Sequence, residues 1–308
     1  MAKIRRFPSL LTGLLALLLV LSPLSRAGLA APAAGAAPTI PITAQPFFAD
    51  LQATAALWAD APLAQVVGDS PRATLLNFYA VMARVGAEQA LAIRERQQHA
   101  GLVWGPSARA HIRTAEQLFA LAVQALDASD FPESVRRQMA NEAAMQLKEV
   151  LDYVFSHSHE PLQLPDSAAL KALNAARSQP SQSWTLPDTT ITLAYTSQLP
   201  FNNPGFVFSA RTVNQIGRLH AEIAGLPAVS QPFATPGMHD GYSRTPGFLA
   251  PPRWYLLLPA DLRRGLEISL AGQTLFQITA ALLCIGIYLL LVRWLLRRLV
   301  HSYRQRRD

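Results

Sequence analysis

Between Gly272 and Val292 the chain runs for 21 residues without a charged side chain. A helix over that run is about 31 Å long at about 1.5 Å per residue, the thickness of a bilayer's hydrocarbon core. Its outer end is softened by Gln273, Thr274, Gln277 and Thr279; from Ala280 onward only Cys284, Gly286 and Tyr288 interrupt the apolar side chains. A buried core helix is the competing reading, and the flanks argue against it. Arg293, Arg297, Arg298, Arg304, Arg306 and Arg307 follow the run, whereas only Arg263 and Arg264 are basic between Leu257 and Ala271. That imbalance predicts a membrane span with a cytoplasmic C-terminus by the positive-inside rule.

The other end of the chain agrees. Lys3, Arg5 and Arg6 precede a largely apolar stretch from Leu10 to Leu21, and small residues follow from Ser25 to Ala31. This is the order of a secretory signal, with cleavage expected after Ala27 or Ala30. The stretch is about 12 residues against the ~20 that span a bilayer, which favours cleavage over an uncleaved anchor. Either form leaves the following domain outside the cytoplasm.

A net charge of +7 suggests nucleic acid until its distribution is read. Residues 1–30 hold four basic groups and no acidic one, and residues 272–308 hold six arginines and Asp308. The rest of the chain has 17 basic and 19 acidic residues, so the excess is topogenic and no nucleic-acid partner is expected. The lone cysteine, Cys284, lies in the apolar run, which leaves the exported region without disulfide or thiol chemistry.

The exported region reads as mainly α. After the signal (1–30) comes an Ala/Pro linker (31–46), expected to be loose, and then a helical domain (47–156). Asp69-Ser70-Pro71 is a helix start, with Ser70 as cap and Pro71 in the first turn, and Leu75, Phe78, Met82 and Val85 make the stripe. A second segment is expected over Glu88–His99. A third starts at Ser107 and presents Ile112, Leu118, Phe119, Ala122 and Leu126. A fourth follows Asp130 with Val135, Met139, Ala143, Leu147, Val150 and Val154. Four stripes predict an antiparallel helical bundle. A polar linker (157–187) has room for a short helix over Ser167–Arg177. Next comes a β-hairpin-plus-helix unit (188–226): Ile191, Leu193 and Tyr195 alternate, Asn202-Asn203-Pro204-Gly205 turns, Gly205–Ser209 forms a second strand, and Ser209 caps a helix bearing Val213, Ile216, Leu219 and Ile223. A Pro/Gly-rich connector and juxtamembrane segment (227–271) is expected to be extended, with Trp254 and Tyr255 near the interface. The transmembrane helix (272–292) and a basic cytoplasmic tail (293–308) complete the order.

Chemistry-bearing residues are scattered. His157-Ser158-His159-Glu160 has ligand-type side chains, but no other His or Cys stands at a zinc spacing, and a solvated helix end accounts for it. His99, His111, His220 and His239 lie singly, and no nucleophile elbow, phosphate loop or dinucleotide fingerprint occurs. Arg84, Arg94, Glu95 and Arg96 read as solvated helix faces. Arg72 stands at a helix start, where the dipole disfavours a cation, so pairing with Asp69 is expected ahead of binding an acidic ligand. No catalytic, cofactor-binding or metal residue and no cofactor is assigned.

Several segments carry a resemblance. Asp69-Ser70-Pro71-Arg72-Ala73-Thr74-Leu75, Lys148-Glu149-Val150-Leu151-Asp152, Trp184-Thr185-Leu186-Pro187-Asp188-Thr189-Thr190-Ile191, Gly205-Phe206-Val207-Phe208-Ser209, Thr245-Pro246-Gly247, Pro251-Pro252-Arg253-Trp254 and Leu258-Pro259 follow one another over Asp69 to Val292. In order and spacing this resembles the exported region and first membrane helix of large members of the small-conductance mechanosensitive channel family. Those channels continue with a pore-lining helix and a cytoplasmic domain, and this sequence ends 16 residues after its apolar run. The resemblance therefore implies a non-enzymatic, sensor-like envelope membrane protein: a truncated channel, the first half of a split one, or a free-standing relative of the exported domain. Its expected partners are the lipid bilayer and either copies of itself or other channel subunits. The alternative is a membrane-tethered extracytoplasmic hydrolase or ligand-binding domain, which would show as polar groups converging in one cleft.

Overall fold

The computed structural model describes residues 39–60, 65–95, 101–175, 182–197, 204–244, 249–250, 252–266, 268–270 and 273–305. The expected signal (1–30), the linker up to residue 38, Arg96, His99, the Asn202-Asn203 turn and the last arginines of the tail lie outside the described residues. What is described is mainly helical, with a small three-stranded sheet and one long apolar helix at the C-terminal end.

Four helices build the bundle: α1 (Phe48–Asp60), α2 (Pro71–Glu95), α3 (Pro106–Val123) and α4 (Arg136–His157). The residues before α1 are packed, not loose. Ile42 is fully buried, the Ile40 N–H donates to the Ser158 carbonyl, and the Gln45 side chain accepts from the Leu162 N–H. The start of α2 follows its sequence: the Ala73 N–H donates to the Ser70 hydroxyl at 3.3 Å, and Leu75, Phe78, Met82 and Val85 are buried. The separate segment expected over Glu88–His99 is instead the continuation of α2 to Glu95. Gly86 is the one weak helix former at that point, and a single helical glycine costs only about 1 kcal/mol, which packing overrides.

Pairs between α2 and α3 show them to be antiparallel, with His111 beside Glu88 and Ser107 donating to Glu95. On α4 the buried face is Ala140, Ala143, Ala144, Leu147, Leu151 and Phe155. Val135 and Met139, expected inside, are exposed because the apolar face lies about one residue round the helix from the stripe they define.

The sheet is antiparallel in the order β1 (Ser183–Thr185), β2 (Thr192–Thr196), β3 (Gly205–Phe208). The hairpin expected from the alternation is β2–β3, and β1 adds a third strand through Trp184 opposite Leu193. Ile191 and Leu193 are buried, whereas Tyr195 is 40% exposed and rests edge-on against Phe206. The sheet shares one core with the bundle. Phe208 stacks edge-on against Phe78 of α2 at 5.1 Å, and its backbone exchanges hydrogen bonds with Ala125 and Asp127 after α3. The Thr74 hydroxyl donates to the Phe206 carbonyl at 2.8 Å.

Gly205 is where β3 meets the loop before α2. A Cβ there would lie 2.5 Å from the Gly68 carbonyl oxygen and from Val67 Cγ1. Backbone cannot yield as a side chain can, so Gly205→Ala is expected to destabilise the fold by about 1–3 kcal/mol. Thermal unfolding of the detergent-purified chain checks this.

A short α5 (Ser167–Ala175) lies in the polar stretch after α4. Helix α6 (Ala210–Ile223) follows β3 and is capped as expected, the Ser209 hydroxyl accepting from the Thr212 N–H. The connector is not extended. It forms α7 (Met238–Arg244), α8 (Arg253–Leu256), α9 (Ala260–Leu266) and a minimal hairpin of β4 (Ser269–Leu270) and β5 (Gln273–Thr274). Met238, Tyr242, Leu249 and Tyr255 are buried, the Gln89 side chain donates to the Leu249 carbonyl, and the Thr235 methyl occupies the space that a side chain at Gly86 would fill. Helix α10 (Leu275–Gln305) begins after β5, with Phe276 edge-on to Tyr255. Its stretch Ile278–Leu299 is long and apolar enough to cross a membrane, and its large side chains, such as Leu283 and Leu290, stand exposed.

Candidate functional site

Helix α4 presents three charged residues, Lys148, Glu149 and Asp152, to the connector and α6, and they do two different things. Lys148 is fully buried and Asp152 nearly so. The Lys148 ammonium donates to Asp152 Oδ1 at 2.5 Å and to the Phe233 carbonyl at 2.9 Å, and it sits 4.0 Å from the centre of the Tyr79 ring. The Tyr79 hydroxyl donates to Asp152 Oδ1 at 2.6 Å, and the Thr235 N–H donates to Asp152 Oδ2 at 3.0 Å. The ion pair thus clasps the turn at residues 233–235 from both sides. Phe233 takes a left-handed backbone (φ 67), a conformation bulky residues rarely adopt, where its carbonyl meets the ammonium. Burial pulls the Lys148 ammonium below its ordinary value even with Asp152 pulling the other way. The Tyr79 phenol is pushed upward, by burial first and by the Asp152 charge second, and stays protonated as a donor. This is a closed internal network that holds the connector on the bundle.

Glu149 lies one residue along and faces a cavity of about 220 Å³ bordered by Glu149, Asp152, Tyr153, His220, Pro236 and Asp240. His220 of α6 brings Nε2 to 2.7 Å from Glu149 Oε2. The backbone N–H of His239, at the start of α7, donates to Glu149 Oε1 at 2.9 Å. The two imidazole rings are 4.5 Å apart between centroids and tilted by 62°. Each of the three side chains offers one ligand atom, and these atoms all lie within 4.8 Å of one another. His239 Nδ1 is buried without a hydrogen-bond partner, while its Nε2 faces Gln146 at 3.2 Å and Glu142 at 3.6 Å. Burial alone would raise the Glu149 carboxyl. The hydrogen bonds from His220 and from the His239 N–H, with the charges of the two imidazoles, outweigh it and hold the group below its ordinary value.

The candidates named from sequence fall apart in space. His157 ends α4, stacked on its neighbour Tyr153, and His159 is exposed beyond it. His111 pairs with the buried Glu88, which also takes the Arg84 guanidinium at 2.7 Å. Arg72 pairs with Asp50 of α1 instead of the expected Asp69, because α1 packs beside the start of α2. Cys284 is exposed on α10. His220 and His239, single in sequence, are brought together by the packing of α6 and α7 on α4. No protein-family profile, curated protein or solved structure matches the chain.

Proposed function

We propose that this chain is a non-enzymatic, single-pass membrane protein that holds its helical domain outside the cytoplasm as the sensor-like module of a membrane assembly of the mechanosensitive-channel type. The observation that carries the membrane part is α10. Its large apolar side chains, among them Leu282, Leu290 and Leu299, stand exposed turn after turn, Leu290 by 68%, after a domain that has a buried core of its own. Exposing that much apolar surface to water is unfavourable at roughly 25 cal/mol per Å², and a bilayer or neighbouring membrane helices remove it. Arg298 lies 5.3 Å over the Trp294 ring, an aromatic–basic pairing suited to the headgroup region.

The channel-type part is supported by the element order. A helical bundle, a small sheet, a capped helix and then the apolar helix follow one another in the chain, an order compatible with the sequence resemblance on which this part rests. Partners in the bilayer plane would be copies of the chain or other membrane subunits.

In membrane preparations the chain is expected to resist extraction by high salt and alkaline carbonate and to dissolve in detergent. A photo-crosslinking residue in place of Leu282 or Leu289 is expected to trap a protein neighbour. Carbonate extraction of the intact chain would overturn the membrane reading, and crosslinks to lipid alone would overturn the assembly.

A further inference from the structure

We infer that Glu149, His220 and His239 bind one divalent transition-metal ion of the zinc class, and that this ion fastens the connector to the helical bundle. The donor set is the first ground. Two imidazoles and one carboxylate are the ligands that zinc and its neighbours prefer, and three protein ligands leave one position for water. Geometry is the second. Ligand atoms of a tetrahedral site with bonds of about 2.0–2.1 Å stand roughly 3.3 Å apart. Atoms already within 4.8 Å reach that spacing by small side-chain rotations. His220 Nε2 and Glu149 Oε2 share a proton at 2.7 Å, and an ion takes the place of that proton.

The third ground is the state of His239. Its Nε2 lies 3.2 Å from the Gln146 side-chain amide and 3.6 Å from the Glu142 carboxylate, and ligation through Nδ1 places the ring proton on Nε2, where Glu142 or the turned Gln146 amide oxygen accepts it. Its Nδ1 is buried with nothing to bond, a cost that ligation removes. The cavity bordered by Glu149 and His220 has room for the water of the fourth position. A Glu149–His220 ion pair with no metal accounts for the first contact but leaves the buried Nδ1 unexplained.

The three ligands come from α4, α6 and α7, with Glu149 separated from His220 by 71 residues and from His239 by 90. The unfolded chain cannot present them together, so the ion binds the folded form alone and stabilises it. Of the three elements only α7 belongs to the connector, so the ion acts on the segment between the bundle and α10. This inference stands apart from the membrane assembly proposed above, and its test does not depend on it.

The full chain, purified in detergent without affinity-tag histidines and stripped with chelator, is titrated with zinc(II) by calorimetry and with cobalt(II) by visible absorption. One ion per chain is expected, with the melting midpoint raised by about 5 °C when the metal stands 100-fold above its Kd. His239→Ala and His239→Gln keep the backbone N–H to Glu149 and are expected to weaken binding by about 100-fold or more, as is Glu149→Gln. The joint change His157→Ala with His159→Ala removes the exposed pair and is expected to leave binding unchanged. Absence of saturable binding to the native chain overturns the proposal. So does undiminished affinity in the His239 variants, or loss of the ion in the His157/His159 control.

Discussion

Replacing Asp152 by leucine is expected to destabilise the fold by about 3–5 kcal/mol, a large share of the roughly 5–15 kcal/mol that holds a typical domain together. The substitution leaves the Lys148 ammonium fully buried with only the Phe233 carbonyl and the Tyr79 ring for company. It also strips the Tyr79 hydroxyl and the Thr235 N–H of their acceptor. Part of the loss is relieved because Lys148 can shed its proton, and burial already favours that direction. The connector turn at Phe233 and Thr235 is expected to loosen first, since its hydrogen bonds to Lys148 and Asp152 run through this pair. Changing Lys148→Met together with Asp152→Leu removes the unpaired buried charge and is expected to recover part of the stability, the Tyr79 hydroxyl, the Thr235 N–H and the Phe233 carbonyl still lacking their partners. Melting midpoints of the single and double variants in detergent decide the matter. Equal destabilisation of both would mean that the unpaired ammonium left by the single change is not what costs the stability.

Where sequence signals coincide, the fold was readable. Ser70 and Pro71 ahead of a clean stripe placed the start of α2, and Ser209 ahead of Val213 and Ile216 placed α6, because cap and periodicity name the same boundary. Helix α1 offered no such contrast. Ala49, Ala53, Ala55, Ala56 and Ala59 blur its faces, and only Leu51 and Trp58 within it are large and buried. The connector was misread for a related reason. Its prolines and glycines break it into helices of four to seven residues. Docking then rests on single contacts, such as the Thr235 methyl against Gly86 and Phe233 against Lys148, which no periodicity registers.

The Glu149–His220–His239 cluster has no spacing motif at all. Its members meet only because α6 and α7 both pack on α4. One signal nearby was legible in principle. Met145, Lys148, Asp152 and Phe155 share a helix face, so a charged pair flanked by two apolar residues is a buried pair in the making. The Arg72 partner was missed because the competing acid, Asp50, sits on the helix that the sequence did not reveal.

The second large effect is all-or-none and concerns which side of the membrane the domain occupies. Six arginines beyond the apolar run against two before it set the expected orientation, and the basic n-region with its apolar stretch sets the same one independently. Cys284 is the only native cysteine, so a Cys284→Ala background carries no thiol. Into it go Glu133→Cys, at an exposed site before α4, and separately Arg304→Cys in the basic end of α10. Sealed right-side-out membrane vesicles are treated with a membrane-impermeant maleimide, before and after lysis. The expected result is full labelling of Glu133→Cys in sealed vesicles and labelling of Arg304→Cys only after lysis. Protection of Glu133→Cys, or equal labelling of both sites in sealed vesicles, would contradict a domain held outside by a single span.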